Sequence, residues 1–296
     1  MHASDLAALL ALGAALFVAI GDVIHQRQAH DVTDEPVGHL ELVLRLLRDR
    51  RWWLGSIVAG VGFALQAAAL GLGSVLLVQA LLVTSLLFAL PINARWSGQR
   101  VSGWSWAWAV LLAASVAVIV TVGNPTAGHS RATPATWTAV LAMLGPALVA
   151  CVVGARIRSG PVRAVLLGLV SGVLWGVFAV LTKGVMSRLD VTSWAGLETL
   201  LRTPELYVWA AVALGGTAFQ QFSFRAGSLT ASLPTMTVAE PVVASVLGIV
   251  VLGETLRPGD AGWLVLGAAF AVMVVATAAL ARGEAAATGR VPAVAD

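Results

Sequence analysis

Long apolar segments separated by short polar connections dominate this chain and limit the folds open to it. Each is about 20 residues long, the length an α-helix needs to cross roughly 30 Å of hydrocarbon. Nine such segments occupy residues 5–26, 53–72, 75–94, 104–122, 136–156, 164–185, 206–226, 229–252 and 260–281. The pattern predicts an all-α polytopic membrane protein with about nine transmembrane helices.

The composition excludes an ordinary soluble domain. Hydrophobic residues make up 58% of the chain and charged residues only 11%, whereas about a quarter of the residues in soluble domains are charged. The sequence pI near 10.0 does not indicate nucleic-acid binding, because the net charge is only +3 and the arginines lie in short connections. The partners we expect are the lipid bilayer and a small-molecule or ion substrate. A homodimer is left open.

Arginine placement predicts the orientation. With nine spans, thirteen arginines fall on the cytoplasmic side and four on the outer side, which is a strong positive-inside bias. The outer four are Arg131, Arg188, Arg202 and Arg257. We therefore expect a multi-pass protein of the inner cell membrane with a cytoplasmic C-terminus. If residues 37–50 also span, the count becomes ten and the N-terminus moves inside.

Residues 58–74 match residues 212–228, at an offset of 154 and without a gap, at Val58, Ala59, Gly62, Ala64, Gln66, Gly73 and Ser74. The duplication predicts a first transmembrane repeat in 1–122, a linker helix at 136–156, a second repeat in 160–281 and a disordered cytoplasmic tail at 282–296. A single linker span leaves the second repeat inverted relative to the first. Inverted repeats are typical of secondary transporters, which hold their substrate between the two copies.

Glu240 is the most informative single residue, because it lies near the middle of an apolar segment. A carboxylate at that depth costs about 3 kcal/mol or more unless it is paired, protonated or hydrated. Pro234 and Pro241 each remove a backbone hydrogen bond and free a carbonyl, and Thr237 lies between them. We interpret Glu240 as a substrate-binding or coupling carboxylate. The alternative is a structural carboxylate that stabilises a kinked helix.

Other ionisable groups lie towards the ends of apolar segments. Asp22 and His25 share one face of the first helix and suggest a proton or cation relay on the cytoplasmic side. Contacts with lipid headgroups explain them equally well. Lys183 ends the sixth segment, where a lysine can serve the transport pathway or extend to the membrane interface.

Two glutamines and three glycines complete the set of candidate residues. Gln66 and Gln220 occupy equivalent positions in the two copies, and an amide suits either a polar ligand or a neighbouring helix. We expect them to line a cavity and to face each other across the pseudo-symmetry axis. Gly168, Gly172 and Gly176 recur every four residues and predict a close helix-packing face.

No motif in the sequence indicates an enzyme. The chain has no P-loop, no Ser/His/Asp arrangement and no metal-binding histidine pair. Its one cysteine, Cys151, permits neither a disulfide framework nor a Cys/His metal cluster. We therefore expect no catalytic residues, no cofactor and no resident metal.

Several short motifs resemble a known family. The second copy is similar to the EamA-type repeat of the drug/metabolite transporter superfamily in Gly227-Ser228-Leu229, Ala239-Glu240-Pro241-Val242 and Leu252-Gly253-Glu254. The first copy looks more like the NIPA-like magnesium transporter branch in Arg51-Trp52-Trp53-Leu54-Gly55 and Val78-Gln79-Ala80-Leu81. The resemblance implies an alternating-access permease with a central cavity, in which Glu254 caps a helix. The first copy departs from the pattern, with Gly98-Gln99-Arg100 in place of Leu252-Gly253-Glu254.

These observations favour a secondary-active transporter of a small metabolite or amphiphile. One alternative is a NIPA-like divalent-cation transporter for Mg²⁺. Mg²⁺ needs several hard oxygen ligands, whereas the carboxylates within the apolar segments are those of Asp22 and Glu240. The other is a non-transporting membrane scaffold or a subunit of an envelope-lipid assembly.

Overall fold

The protein is an all-α polytopic membrane protein. The computed structural model describes residues 3–32, 50–97, 101–189, 194–226, 229–259 and 262–288, which form helices and no β-strand longer than a single bridge. The helices are α1 (Ala3–Val32), α2 (Arg50–Leu72), α3 (Val75–Leu82), α4 (Ser85–Ser97), α5 (Gly103–Gly123), α6 (Pro134–Ile157), α7 (Gly160–Met186), α8 (Trp194–Leu201), α9 (Pro204–Ala226), α10 (Leu229–Leu252) and α11 (Gly262–Thr288).

Eight stretches of the described residues are long and apolar enough to cross a bilayer, with α3 and α4 together counted as one. The helix α9 has 23 residues but is more polar, since it contains Glu205, Gln220 and Gln221. Large apolar side chains cover the outside of the bundle; Leu264, for example, is 85% exposed. Such a surface fits a lipid environment, because water would leave these side chains unfavourably hydrated.

The predicted span at 75–94 contains a break that the sequence analysis did not predict. The helix α3 ends at Leu82, and α4 starts at Ser85. The backbone N–H of Thr84 donates to the Leu81 carbonyl at 3.0 Å, and its hydroxyl donates to the same oxygen at 2.5 Å. A threonine hydroxyl that takes a backbone carbonyl competes with the regular helical ladder.

The end of the bundle that carries Glu254 is here named the Glu254 end. The start of α1 lies beside the α2–α3 junction, and the connection after α5 pairs with the connection after α10 through Thr126 and Thr255. All four arginines predicted to be outside belong to connections at the Glu254 end. The opposite end, named the arginine-rich end, carries Arg95, Arg156, Arg158, Arg163, Arg225 and Arg282. Which end faces the cytoplasm stays a prediction.

Small residues let α7 pack closely against α9 and α10. A Cβ built on Gly172 would lie 2.6 Å from the Cβ of Ala239, and one on Gly176 would lie 2.9 Å from that of Val243. A Cβ on Gly168 would lie 3.1 Å from the Ser223 hydroxyl, which itself donates to a carbonyl of α7 at 2.7 Å. Close backbone contact and interhelical hydrogen bonds replace the hydrophobic effect as the packing force in lipid.

The helix bounds follow the 154-residue offset of the sequence repeat. The helices α2 and α9 cover residues 50–72 and 204–226, and α3 and α10 start at residues 75 and 229. The helix α11 continues to Thr288, beyond the predicted end of the second repeat at residue 281. Residues 33–49, which contain most of the uncertain tenth span, and residues 289–296 of the predicted tail lie outside the described residues. The division into repeats and linker stays a prediction.

Replacing Gly172 by Ala tests the close contact between α7 and α10. The added methyl group must displace Ala239, so we expect Gly172→Ala to lower the free energy of unfolding in detergent by about 1–3 kcal/mol. The matched control is Gly267→Ala in α11, where a Cβ would meet nothing within 4 Å. That control should be neutral or stabilising, since glycine is less favourable than alanine within a helix. Equal unfolding of the two variants would contradict the packing described above.

Candidate functional site

A buried ion pair joins the end of α7 to the residues that follow α10. The Nζ of Lys183 lies 2.7 Å from Oε1 of Glu254, and the two side chains are 5% and 0% exposed. Lys183 also donates to the backbone carbonyl of Gly73 at 2.8 Å. Its ammonium group therefore lies inside the protein and does not extend to the membrane interface.

The carboxylate of Glu254 lies at the N-terminus of α3. Its two oxygens accept hydrogen bonds from the backbone N–H groups of Val75 and Leu76, at 2.7 and 3.0 Å. The Ser74 hydroxyl accepts from Leu77 at 3.1 Å and caps the same helix. A helix N-terminus presents free N–H groups and a partial positive charge, so it stabilises a carboxylate. The negative charge of Glu254 is thus balanced by Lys183 and by the N-terminus of α3.

Two glycines make room for this carboxylate. Gly253 has a φ of +65°, a left-handed conformation that ends α10 and turns the chain towards α3. A Cβ on Gly248 would lie only 2.9 Å from Oε2 of Glu254. Any side chain at position 248 would therefore push the carboxylate away from the α3 amides.

The backbone connections around the ion pair also bind each other. The N–H of Thr126 donates to the Thr255 carbonyl at 2.9 Å, and the N–H of His129 donates to the Leu252 carbonyl at 2.7 Å. The N–H of Arg257 donates to the Gly123 carbonyl at 2.8 Å. These bonds hold the residues after α5 and the residues after α10 together at the Glu254 end.

Glu240 lies in a different environment. Its side chain is half-buried in α10, and in the described part of the chain it makes no hydrogen bond or ion pair. Pro241 has no N–H, so the Thr237 carbonyl lacks its donor within the helix. The Thr237 hydroxyl donates back to the Leu233 carbonyl at 2.8 Å. A carbonyl without its regular helical donor therefore lies within one turn of a carboxyl group that has no hydrogen bond or ion pair among the described residues.

Counted along the helices, the break between α3 and α4 lies at about the same level of the bundle as Glu240. A Cβ on Gly248 would lie 3.5 Å from the Cβ of Val75, so these two residues lie at a common level. Because the chain directions of α3 and α10 are opposite, Thr84, nine residues after Val75, and Glu240, eight residues before Gly248, both lie about 12–14 Å from that level towards the arginine-rich end. Irregular backbone on two adjacent helices therefore coincides near the middle of the bundle.

Gln79 adds a polar group to this region. Gln79 is only 1% exposed. Its Nε2 has no hydrogen-bond partner among the described residues. It lies one turn from the Val75 contact, and thus within about 8 Å of the depth of Glu240. We define the central site as Gln79, the break at Val83 and Thr84, Thr237 and Glu240. The sequence signal for Gln79 is an amide within an apolar run, which is also the signal that singles out Gln66 and Gln220.

Gln66 and Gln220 are not brought together. The rings of Phe63 in α2 and Trp209 in α9 are 6.2 Å apart, which gives the two helices a common level. Gln66 lies three residues from this level towards the Glu254 end, and Gln220 lies eleven residues towards the arginine-rich end. Their depths differ by about 21 Å. The expectation that they face each other does not fit this geometry, although both are half-buried.

Asp22 and His25 lie within α1, but their side chains are outside the described residues. Their relay role stays a prediction. In the part of the chain that the structure describes, no group of three His, Cys, Asp or Glu side chains is close enough to hold a metal ion.

Breaking the buried ion pair should destabilise the fold strongly. We expect Lys183→Met to lower the free energy of unfolding by about 3–5 kcal/mol, because it leaves the Glu254 carboxylate buried without its counter-charge. The control is Arg202→Ala, which breaks the exposed pair of Arg202 with Glu198, in which the side chains are 79% and 62% exposed. That change should cost less than about 1 kcal/mol. Similar unfolding midpoints in denaturant for the two variants would contradict the role of the buried pair.

Comparison with known proteins supplies a relative but no function. No family model matches the chain, and no solved structure matches it. An uncharacterized protein of Corynebacterium glutamicum is 38% identical over 286 residues, which are 95% of this chain and 96% of the relative. The similarity spans both halves of the helical bundle. The chain therefore belongs to the same family as this corynebacterial protein.

Proposed function

We propose that the protein is a secondary-active transporter that moves a small metabolite or amphiphile across the inner membrane by alternating access. The observation that carries the proposal is the central site, where the unpartnered carboxylate of Glu240 coincides in depth with the break between α3 and α4. Interrupted helices near the bilayer midplane are the usual construction of substrate and coupling-ion sites in transporters. The resemblance to the drug/metabolite transporter superfamily agrees with this function.

The polar groups of the central site suit an organic cargo. Glu240 offers a carboxyl group, Gln79 an amide donor without a partner among the described residues, and Thr237 a backbone carbonyl that lacks its regular helical donor, so the site combines donors and acceptors. Burying such groups without partners is costly. A polar cargo that satisfies them on binding would relieve that cost. A membrane scaffold that binds no ligand would bear this cost in free energy without a compensating interaction.

The closed Glu254 end supports alternating access. In the proposed cycle the present conformation is closed at this end by the Lys183–Glu254 pair and the connections around it. Access from that side would require the residues after α10 to separate from the α2–α3 junction. Access from the arginine-rich end, which we expect to be cytoplasmic along with the C-terminus, leaves the pair intact.

The divalent-cation alternative receives less support. Mg²⁺ prefers near-octahedral oxygen coordination through carboxylates and water, and the described residues contain no group of three His, Cys, Asp or Glu side chains that could hold a metal ion. The proposal therefore includes no metal, no cofactor and no enzymatic step.

Flux measurements in proteoliposomes test the proposal. Ethidium serves as the amphiphile probe, a radiolabelled amino-acid mixture as the metabolite probe and Mg²⁺ with an enclosed indicator as the cation probe, each with and without a pH gradient. We expect wild-type protein to move an organic probe. Glu240→Gln should slow that flux about tenfold or more, since a hydrogen bond to a charged group contributes about 1.5–3 kcal/mol.

Glu198→Gln is the matched control, because Glu198 is exposed and lies in α8, outside the central site. It should leave the flux unchanged. Unaltered flux and pH response in Glu240→Gln would contradict the assignment of Glu240. Movement of Mg²⁺ alone would favour the cation transporter, and flux equal to that of protein-free vesicles for all probes would favour the scaffold.

A further inference from the structure

A groove of about 400 Å³ lies on the outside of the bundle between α6, α7 and α9. This volume lies in the range of about 300–1,000 Å³ that is usual for small-molecule sites. Its walls are apolar: α6 contributes Val149, Val152 and Val153, α7 contributes Leu174, and α9 contributes Phe219. The groove is separate from the central site. Leu174 lies two residues from Gly172, and thus on the opposite face of α7 from the contact with α10.

One cationic side chain also lines this apolar groove. Arg156 follows Val149, Val152 and Val153 at helical spacing, so all four residues share one face of α6. Arg156 is exposed and belongs to the arginine-rich end, together with the exposed Arg158. Within the described ranges, Arg156 makes no ion pair.

The surrounding helices supply no counter-charge at that end. The sequences of α6 and α7 contain no Asp or Glu. The carboxylate of α9 is that of Glu205, which lies in the first turn at the Glu254 end, where it accepts a hydrogen bond from Arg131 at 3.0 Å. Among the described residues, the helices that form the groove therefore leave the positive charge at its mouth without a counter-charge, and an anionic group could bind there.

The length of the groove matches one leaflet of a bilayer. From Leu148 to Arg156 the helix rises about 12 Å, whereas half of the hydrocarbon core is about 15 Å thick. An acyl chain lying along α6 would reach from the bilayer middle to the level of Arg156. The phosphate of the same lipid would then lie next to the guanidinium group.

We propose that this groove binds an anionic phospholipid, with one acyl chain along Val149, Val152 and Val153 and the phosphate on Arg156. Charge complementarity favours this occupant. A neutral lipid has no net charge for Arg156 to neutralise, and a second copy of the chain would place another Arg156-bearing surface near the first only at a cost in repulsion. The proposal concerns binding alone and does not depend on transport.

Native mass spectrometry of the full-length protein tests the proposal, after incubation with equal amounts of phosphatidylglycerol and phosphatidylcholine that carry the same acyl chains. We expect wild-type protein to retain phosphatidylglycerol preferentially, by about fivefold, the effect of one arginine near an anionic headgroup. Arg156→Ala should remove the preference. Val153→Trp should fill the groove and reduce retention of both lipids; Val153 is 49% exposed, so the fold should tolerate the change.

Arg282→Ala is the control, since Arg282 is an exposed arginine at the same end but lies on α11, away from the groove. It should leave the preference intact. Equal retention of the two lipids by wild-type protein overturns the proposal, as does an equal loss of preference in Arg156→Ala and Arg282→Ala. A dimer that binds no lipid and dissociates in Val153→Trp also overturns it, because a second copy would then fill the groove. None of these outcomes bears on flux through Glu240.

Discussion

The buried pair of Lys183 and Glu254 constrains the rest of the fold. Two opposite charges taken from water are costly to bury, and their mutual attraction compensates only when further hydrogen bonds complete the geometry. Here that requires the end of α7, the turn after α10 and the start of α3 to arrive at one point. The pair therefore fixes the point at which these three elements meet. Any shift of one helix along another would leave a buried charge without its partners.

Glu240 of the central site lies on α10, the helix that precedes Glu254, but its carboxyl group has no hydrogen bond or ion pair among the described residues. The helix α10 is held at its C-terminal end by Glu254 and packed against the glycines of α7, yet its middle lacks a regular ladder at Pro241. A helix that is fixed at one end and irregular in the middle can bend there without breaking its terminal contacts. Such a helix can change the exposure of Glu240 at a lower cost than a movement of the whole bundle.

Sequence reasoning succeeds here where the signal is local and fails where it depends on distant contacts. The lengths of the apolar segments predict the helices, and the described arginines of the connections lie at opposite ends of the bundle in the two predicted groups. The partner of Glu254 was not predicted, because Lys183 is 71 residues away and Val75 is 179 residues away. The break at Thr84 lies in a continuous apolar run in which a threonine is ordinary. The expectation for Gln66 and Gln220 overlooked that inversion places equivalent residues at opposite depths.

Each half contains an irregular helix, but only the helix of the second half carries a carboxyl group there. Applied to the break at Val83 and Thr84, the 154-residue offset leads to Thr237 and its neighbour, between the two prolines of α10. The first half breaks its helix at a threonine hydrogen bond, whereas the corresponding helix of the second half, α10, is continuous and contains Pro234 and Pro241. Position 86, which corresponds to Glu240, is a buried leucine. If the predicted repeats form a symmetric framework, one carboxylate favours a single central site over a pair of equivalent ones, and the proposed transport would then depend on Glu240.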